Sequence, residues 1–229
     1  MAMRRMFTKL MLAVAVILVI HAQNAGAGVI VDNLGQSPVG NGQIGGDQFE
    51  GQEFNTGSLS YTLDSILANV GNLSGTINGI GAQLVQDNGG TPAGGTVLTS
   101  FTVPSIGSSF ANEEFDPTTS GVVLAANTNY WFILNYSSGS GTFGWNYAGT
   151  QTASGPGSLG AYATSFDNGS TWIINNFGPG TPDLIQVNGT VVAAVPEPGT
   201  LTMAGTAGMF GLAFWLRRRS GNKSKMSSN

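Results

Sequence analysis

The chain has 229 residues, of which 41 % are hydrophobic, only 9 % charged and 35 are glycine, with no cysteine, one histidine and a formal charge of −4. All eight basic residues (Arg4, Arg5, Lys9, Arg217, Arg218, Arg219, Lys223 and Lys225) lie towards the ends, so residues 28–195 hold eleven acids and no Lys, Arg, His or Cys, a formal −11. That middle segment is excluded from neutralising nucleic-acid phosphates, from Ser-His-Asp or Cys-His nucleophilic catalysis, and from the usual His and Cys sites for zinc, copper and non-haem iron.

Carboxylate chemistry, oxygen-ligated calcium and surface recognition remain open to it. Without cysteine no disulfide braces the segment, and its core must suffice. At this length a chain buries about two-thirds of its surface on folding.

Residues 1–9 are basic, Leu10 to Ile20 is an unbroken apolar run, and Ala25-Gly26-Ala27 is a small-x-small triplet. That order is the layout of a secretory signal peptide with cleavage after Ala27, the alternative being a retained anchor. The apolar run is shorter than the ~20 residues a spanning helix needs.

From residue 28 onward, glycine is about twice as frequent as the usual ~7 % and sits with Asn, Ser, Thr and Pro between short apolar runs. This pattern predicts many strands joined by turns. The expected strands are 28–33, 60–69, 75–86, 96–103, 109–116, 121–125, 129–136, 142–147, 160–165, 170–175 and 183–192, with a loop over 34–46. Tyr61, Leu63, Ser65 and Leu67 alternate with period two, which favours a strand over a helix there. Tyr130-Trp131-Phe132-Ile133-Leu134 has no polar gap, so a central strand with both faces buried is expected. Asp87-Asn88-Gly89-Gly90 and Asp167-Asn168-Gly169-Ser170 supply residues that tolerate positive φ in tight turns. Short strands at roughly 8–15-residue spacing indicate an all-β fold, a β-sandwich or jelly roll, in a single domain over 28–192.

Three groups of side chains are candidate sites. Glu114 and Asp116 would share one strand face with Cα atoms about 6.5–7 Å apart, near the separation of glycosidase carboxyl pairs. The plainer reading is a solvated strand end running into a turn at Asp116-Pro117. Asp87, Asp167 and the Asp47/Glu50/Glu53 segment offer carboxylate and amide oxygens for a structural calcium, although Asp-Asn-Gly is also ordinary turn chemistry. Phe143, Trp145 and Tyr147 fall on one face of a strand and, with Trp172, form either part of the core or a stacking platform for a neutral glycan. No catalytic residue is assigned.

After a short linker, Val195-Pro196-Glu197-Pro198-Gly199-Thr200 precedes an apolar run from Leu201 to Leu216, then Arg217-Arg218-Arg219 and a polar tail. Sixteen helical residues rise about 24 Å, somewhat less than a ~30 Å hydrocarbon core. The Arg cluster would stay on the cytoplasmic side, with Trp215 as an interfacial anchor. Together, Pro196-Glu197-Pro198, the short apolar helix and the Arg cluster resemble the PEP-CTERM sorting signal of Gram-negative bacteria. That resemblance implies processing by an exosortase, passage through the secretion machinery and a transient stay in the inner membrane. The tail 220–229 is longer than the signal leads one to expect.

A second resemblance runs through the middle. Gln52-x-Phe54-x-Thr56-Gly57, Tyr61-Thr62-Leu63, Gly89-Gly90-Thr91-Pro92-Ala93-Gly94, Leu124-x-Ala126-Asn127-Thr128-Asn129-Tyr130-Trp131 and Asn168-Gly169-Ser170-Thr171-Trp172 are similar, in this order, to the choice-of-anchor domains, most of all type R. What this implies is an extracellular β-sandwich without an established catalytic residue. The expected protein is therefore a non-enzymatic cell-surface or extracellular-matrix component, associated with exopolysaccharide or biofilm. A glycan-binding module is the alternative, and a carboxylate-dependent glycosidase the more distant one. No cofactor beyond a possible structural calcium is expected, and nucleic acid is not a partner.

Overall fold

A computed structural model describes residues 27–174 and 181–192. Two compact units divide the chain, 1–192 and 193–229. Residues 1–26 of the expected signal peptide, Ala25 included, and the expected helix over 201–216 lie outside the described residues, while Ala27 opens the first strand.

Thirteen strands make up the domain: β1 (Ala27–Asp32), β2 (Pro38–Ile44), β3 (Phe49–Asn55), β4 (Tyr61–Ser74), β5 (Ile77–Gln86), β6 (Val97–Thr102), β7 (Ala111–Pro117), β8 (Val123–Leu124), β9 (Asn129–Gly139), β10 (Thr142–Ala148), β11 (Ser158–Ser165), β12 (Ile173–Ile174) and β13 (Ile185–Val191). No helix occurs among the described residues. All pairings are antiparallel and run in the order β1-β13-β4-β7-β6-β5-β9-β3-β11-β12, with β10 bonded to β4 and β2, and β8 to β4. The expected all-β class holds, and the strands form one continuous, curled ladder.

Curling brings the two halves of the ladder face to face. They meet along the chain at β6 and β7, through Phe101 opposite Pro117 and Thr102 opposite Asp116. They meet in space around Phe132 of β9, whose ring packs edge-on against Phe101 (5.2 Å), Phe115 of β7 (5.4 Å) and Trp145 of β10 (5.6 Å). Edge-to-face geometry at these separations adds attraction beyond area burial. β9 runs between β3 and β5 with residues 130–136 all buried, as its gapless apolar sequence predicts.

Two strands went unread in the sequence. β2 occupies most of the expected 34–46 loop, and β3 lies where no strand was expected. β2 reads Pro-Val-Gly-Asn-Gly-Gln-Ile, without alternation, and only its pairing with β10 makes it a strand. β3 reads Phe-Glu-Gly-Gln-Glu-Phe-Asn, with acids and an amide at buried positions. Hydrophobic periodicity cannot register a strand whose interior face is polar. Two expected strands shrink to the two-residue β8 and β12.

Both expected turns adopt the backbone their residues permit. Gly89 and Gly90 have φ of 74° and 87°, and Asn168 and Gly169 have φ of 57° and 79°.

Candidate functional site

Two of the family-like strings, 52–57 and 124–131, meet in one corner. Thr56 of the first string donates through its hydroxyl to Ala125 O at 2.7 Å, and its amide donates to Thr128 O at 3.3 Å. Asn127 N in turn donates to Gly57 O at 2.6 Å. Asn127 and Gly57 both carry positive φ, 51° and 70°, and a Cβ on Gly57 would run into Pro156 O. Segments seventy residues apart in sequence are thus knitted into a joint that places β3 beside β9.

Behind that joint the interior turns polar. Alternation along β3 sends Glu50, Gln52 and Phe54 inward, and β11 sets Tyr162 opposite Gln52 and Thr164 opposite Glu50. From the other half come Asp183, bridged to Tyr147, and the glycines of β2, with Gly42 opposite Trp145 and Gly40 opposite Tyr147. Gln52 is the organiser. Its Oε1 accepts from Asp183 N at 2.8 Å, and its Nε2 donates to the carbonyls of Glu53, Gly160 and Ala161 at 2.8–3.3 Å.

Glu50 and Asp183 are each only 1 % exposed. Burial pushes the Glu50 carboxyl up to about 8. Burial, reinforced by the Glu50 charge, raises Asp183 well above the usual carboxylate range. Tyr162 is raised as well, first by burial and then by the charges of Asp183, Glu50 and Tyr147. No basic side chain exists between residues 28 and 195 to offset these acids. Nothing in the local sequence around Glu50 marks this chamber, because its members come from β3, β11 and the segment before β13.

The other expected sites are placed as follows. Phe143 and Trp145 are 0 % exposed, inside the main core, and Trp145 Nε1 donates to Leu184 O at 3.0 Å. The expected glycan platform is therefore corrected: two of its rings are core, since the shared strand face points inward, and Tyr147 lines the chamber. Trp172, half-buried, sits apart against Phe49 with Nε1 bonded to Gly169 O at 3.1 Å.

Asp87 accepts from Trp131 Nε1 at 2.7 Å and from Gly90 N at 2.9 Å. Asp167 accepts from Ser165 Oγ, Thr171 N and Thr171 Oγ1 at 2.7–2.8 Å, and those bonds, led by the Thr171 hydroxyl, hold its carboxyl below the usual range. Both carboxylates are thus occupied as turn and loop acceptors rather than gathered into a calcium site. Asp47 is exposed and accepts from Asn168 Nδ2, while Glu53 accepts from Asn129 Nδ2 at 2.7 Å and Ala161 N at 3.0 Å. Among the described residues no three His, Cys, Asp or Glu side chains converge on one point. Glu114 and Asp116 are exposed on the outer face of β7, beside Asp64 and Asn188 in an open cleft.

Beyond β13, a family model for the PEP-CTERM protein-sorting motif matches residues 194–219. The chain carries a PEP-CTERM sorting motif. The match takes in Pro196, Glu197, Pro198, the apolar run and Arg217, Arg218 and Arg219, and stops before the polar tail. A PEP-CTERM motif implies a protein exported through the membrane to the cell surface, with exosortase as its processing partner. No curated protein matches the chain.

Proposed function

We propose that this PEP-CTERM protein is a non-enzymatic cell-surface or extracellular-matrix component of a Gram-negative bacterium. Its domain is a choice-of-anchor, type R-like β-sandwich that reaches the outside as an inner-membrane intermediate and is then released or transferred by exosortase. In this reading it remains associated with exopolysaccharide in a biofilm matrix. The observation that carries the proposal is the sorting motif beginning at residue 194, directly after the last strand of an all-β domain. Supporting it, two of the five strings that resemble the choice-of-anchor domains, those holding Thr56 and Asn127, form one hydrogen-bonded corner. The −11 charge of residues 28–195 favours solubility and disfavours contact with anionic polymers unless divalent cations intervene.

The test is the intact mass of the protein from its native host, with both termini mapped. A mature species starting at Gly28 and ending near Pro196 to Gly199 is the expected outcome. A chain retaining Asn229 would mean a permanent anchor and would overturn the processed-matrix reading. Co-fractionation with matrix polysaccharide, lost on deleting residues 194–219, is the expected companion result.

A further inference from the structure

The buried chamber contains three oxygens with no hydrogen-bond partner: Glu50 Oε2, Asp183 Oδ2 and Thr164 Oγ1. Their residues are 1 %, 1 % and 0 % exposed. Buried polar groups in folded proteins are nearly always satisfied, so three orphans in one place require a reason. Thr164 and Glu50 are direct cross-strand partners, which sets their side chains on one face about 4.5–5.5 Å apart at Cβ. Asp183 is held to the same chamber by its backbone bond to Gln52. With no Lys, Arg or His between residues 28 and 195, no side chain of the domain can serve as the counter-charge.

We propose that Glu50, Asp183 and Thr164 bind a divalent cation of the calcium class between the two halves of the curled sheet. All three donors are hard oxygens, and two carboxylates match the charge of one such ion. The absence of His and Cys from the domain selects against zinc and copper. Room for the Glu50 carboxylate is built into β2: it lies against Gly42, where any Cβ would collide with it. Calcium takes six to eight oxygens, so backbone carbonyls or water complete the shell. The ion would tie β3 and β11 to the segment leading into β13, and would brace the secreted domain in the way a disulfide braces others.

The experiment uses the full chain stripped with a chelator, its thermal unfolding followed by tryptophan fluorescence with calcium, with magnesium or with neither. A hundredfold excess of calcium over Kd raises Tm by about 5–10 °C, from the linkage of ligand binding to stability. Glu50→Gln and Asp183→Asn abolish the rise, while Asp87→Asn and Asp167→Asn retain it. No rise in the unmutated chain, or an undiminished rise in Glu50→Gln, overturns the assignment and leaves the two acids to share a proton. Should the carboxyl variants fail to fold, Thr164→Val decides by calorimetric titration. An affinity loss on the order of tenfold supports the site, and unchanged affinity overturns it.

Discussion

Asp87 shows how this domain uses an acid in the absence of bases. Its carboxylate receives the indole of Trp131, a fully buried ring, and the amide of Gly90 in the turn after β5. Replacing it with alanine strands a buried indole donor, and the expected loss is about 1–3 kcal/mol in urea denaturation, with Asp87→Asn losing less because an acceptor remains. Asp167 behaves differently because it is exposed. Its folded-state carboxyl is held low by Thr171 and Ser165. A depressed acid contributes stability above its unfolded pKa and loses it as pH falls through the folded value, so the 167–171 turn loosens in acid below about pH 4. Thr171→Ala should shift the Asp167 titration upward in an NMR pH series. This turn was legible in the sequence because Asp-Asn-Gly acts within its own few residues. Glu50 was legible only as one acid in a segment, since its meaning depends on Asp183 and Thr164, more than a hundred residues away.

Among the elements, β9 could be read from five consecutive apolar residues because burial on both faces leaves a continuous signal. β4 was half legible. Its period-two pattern was plain, and Tyr61 and Leu63 do point inward, but the inward set then switches to Ile66, Ala68 and Val70. The switch follows a register shift in which Asn188 opposes Ser65 and Gly189 opposes Leu63, leaving Asp64 as an inserted residue, so that Ser65 lies with Asn188 on the outer cleft. Such a bulge is set by the partner strand and has no local signature. β2 and β3 were illegible because glycines and buried polar side chains replace the apolar alternation. β2 is also sensitive to a single change at Gly42. Gly42→Ala pushes a methyl into the Glu50 carboxylate, with an expected cost of about 1–3 kcal/mol. Hydrogen exchange should show β2 amides losing protection while those of β4 and β13 keep theirs.

For the whole molecule, two features set stability. Phe132 is a central aromatic contact between the halves of the ladder, and Phe132→Ala should cost about 3–5 kcal/mol, since it leaves a cavity among three edge-on rings. Charge is the other. With eleven acids and no base over residues 28–195, self-repulsion opposes the compact state. Raising sodium chloride from about 0.01 M to 0.15 M shortens the screening length from ~30 Å to ~8 Å, and Tm should rise by a few degrees. A fall in Tm over that range would contradict the repulsion argument. Composition alone revealed this property, whereas the fold class came from the spacing of short strands and turns. The closure of one ladder upon itself was not accessible, because it depends on the β6–β7 junction and on which long-range partners each edge finds.

The seating of β13 bears on the timing of export. β13 lies between β1 and β4, pairing Gly189 with Gly28 on one side and with Leu63 on the other. Its two neighbours therefore emerge from a translocating chain long before it does, and each waits with an open edge. The β1 end of the ladder cannot be joined to β4 until residue 191 is across the membrane, by which point the sorting motif is next in line. Non-local closure of this kind is slow. Any pause while residues 194–219 cross the membrane would give the last strand time to insert before the chain is released.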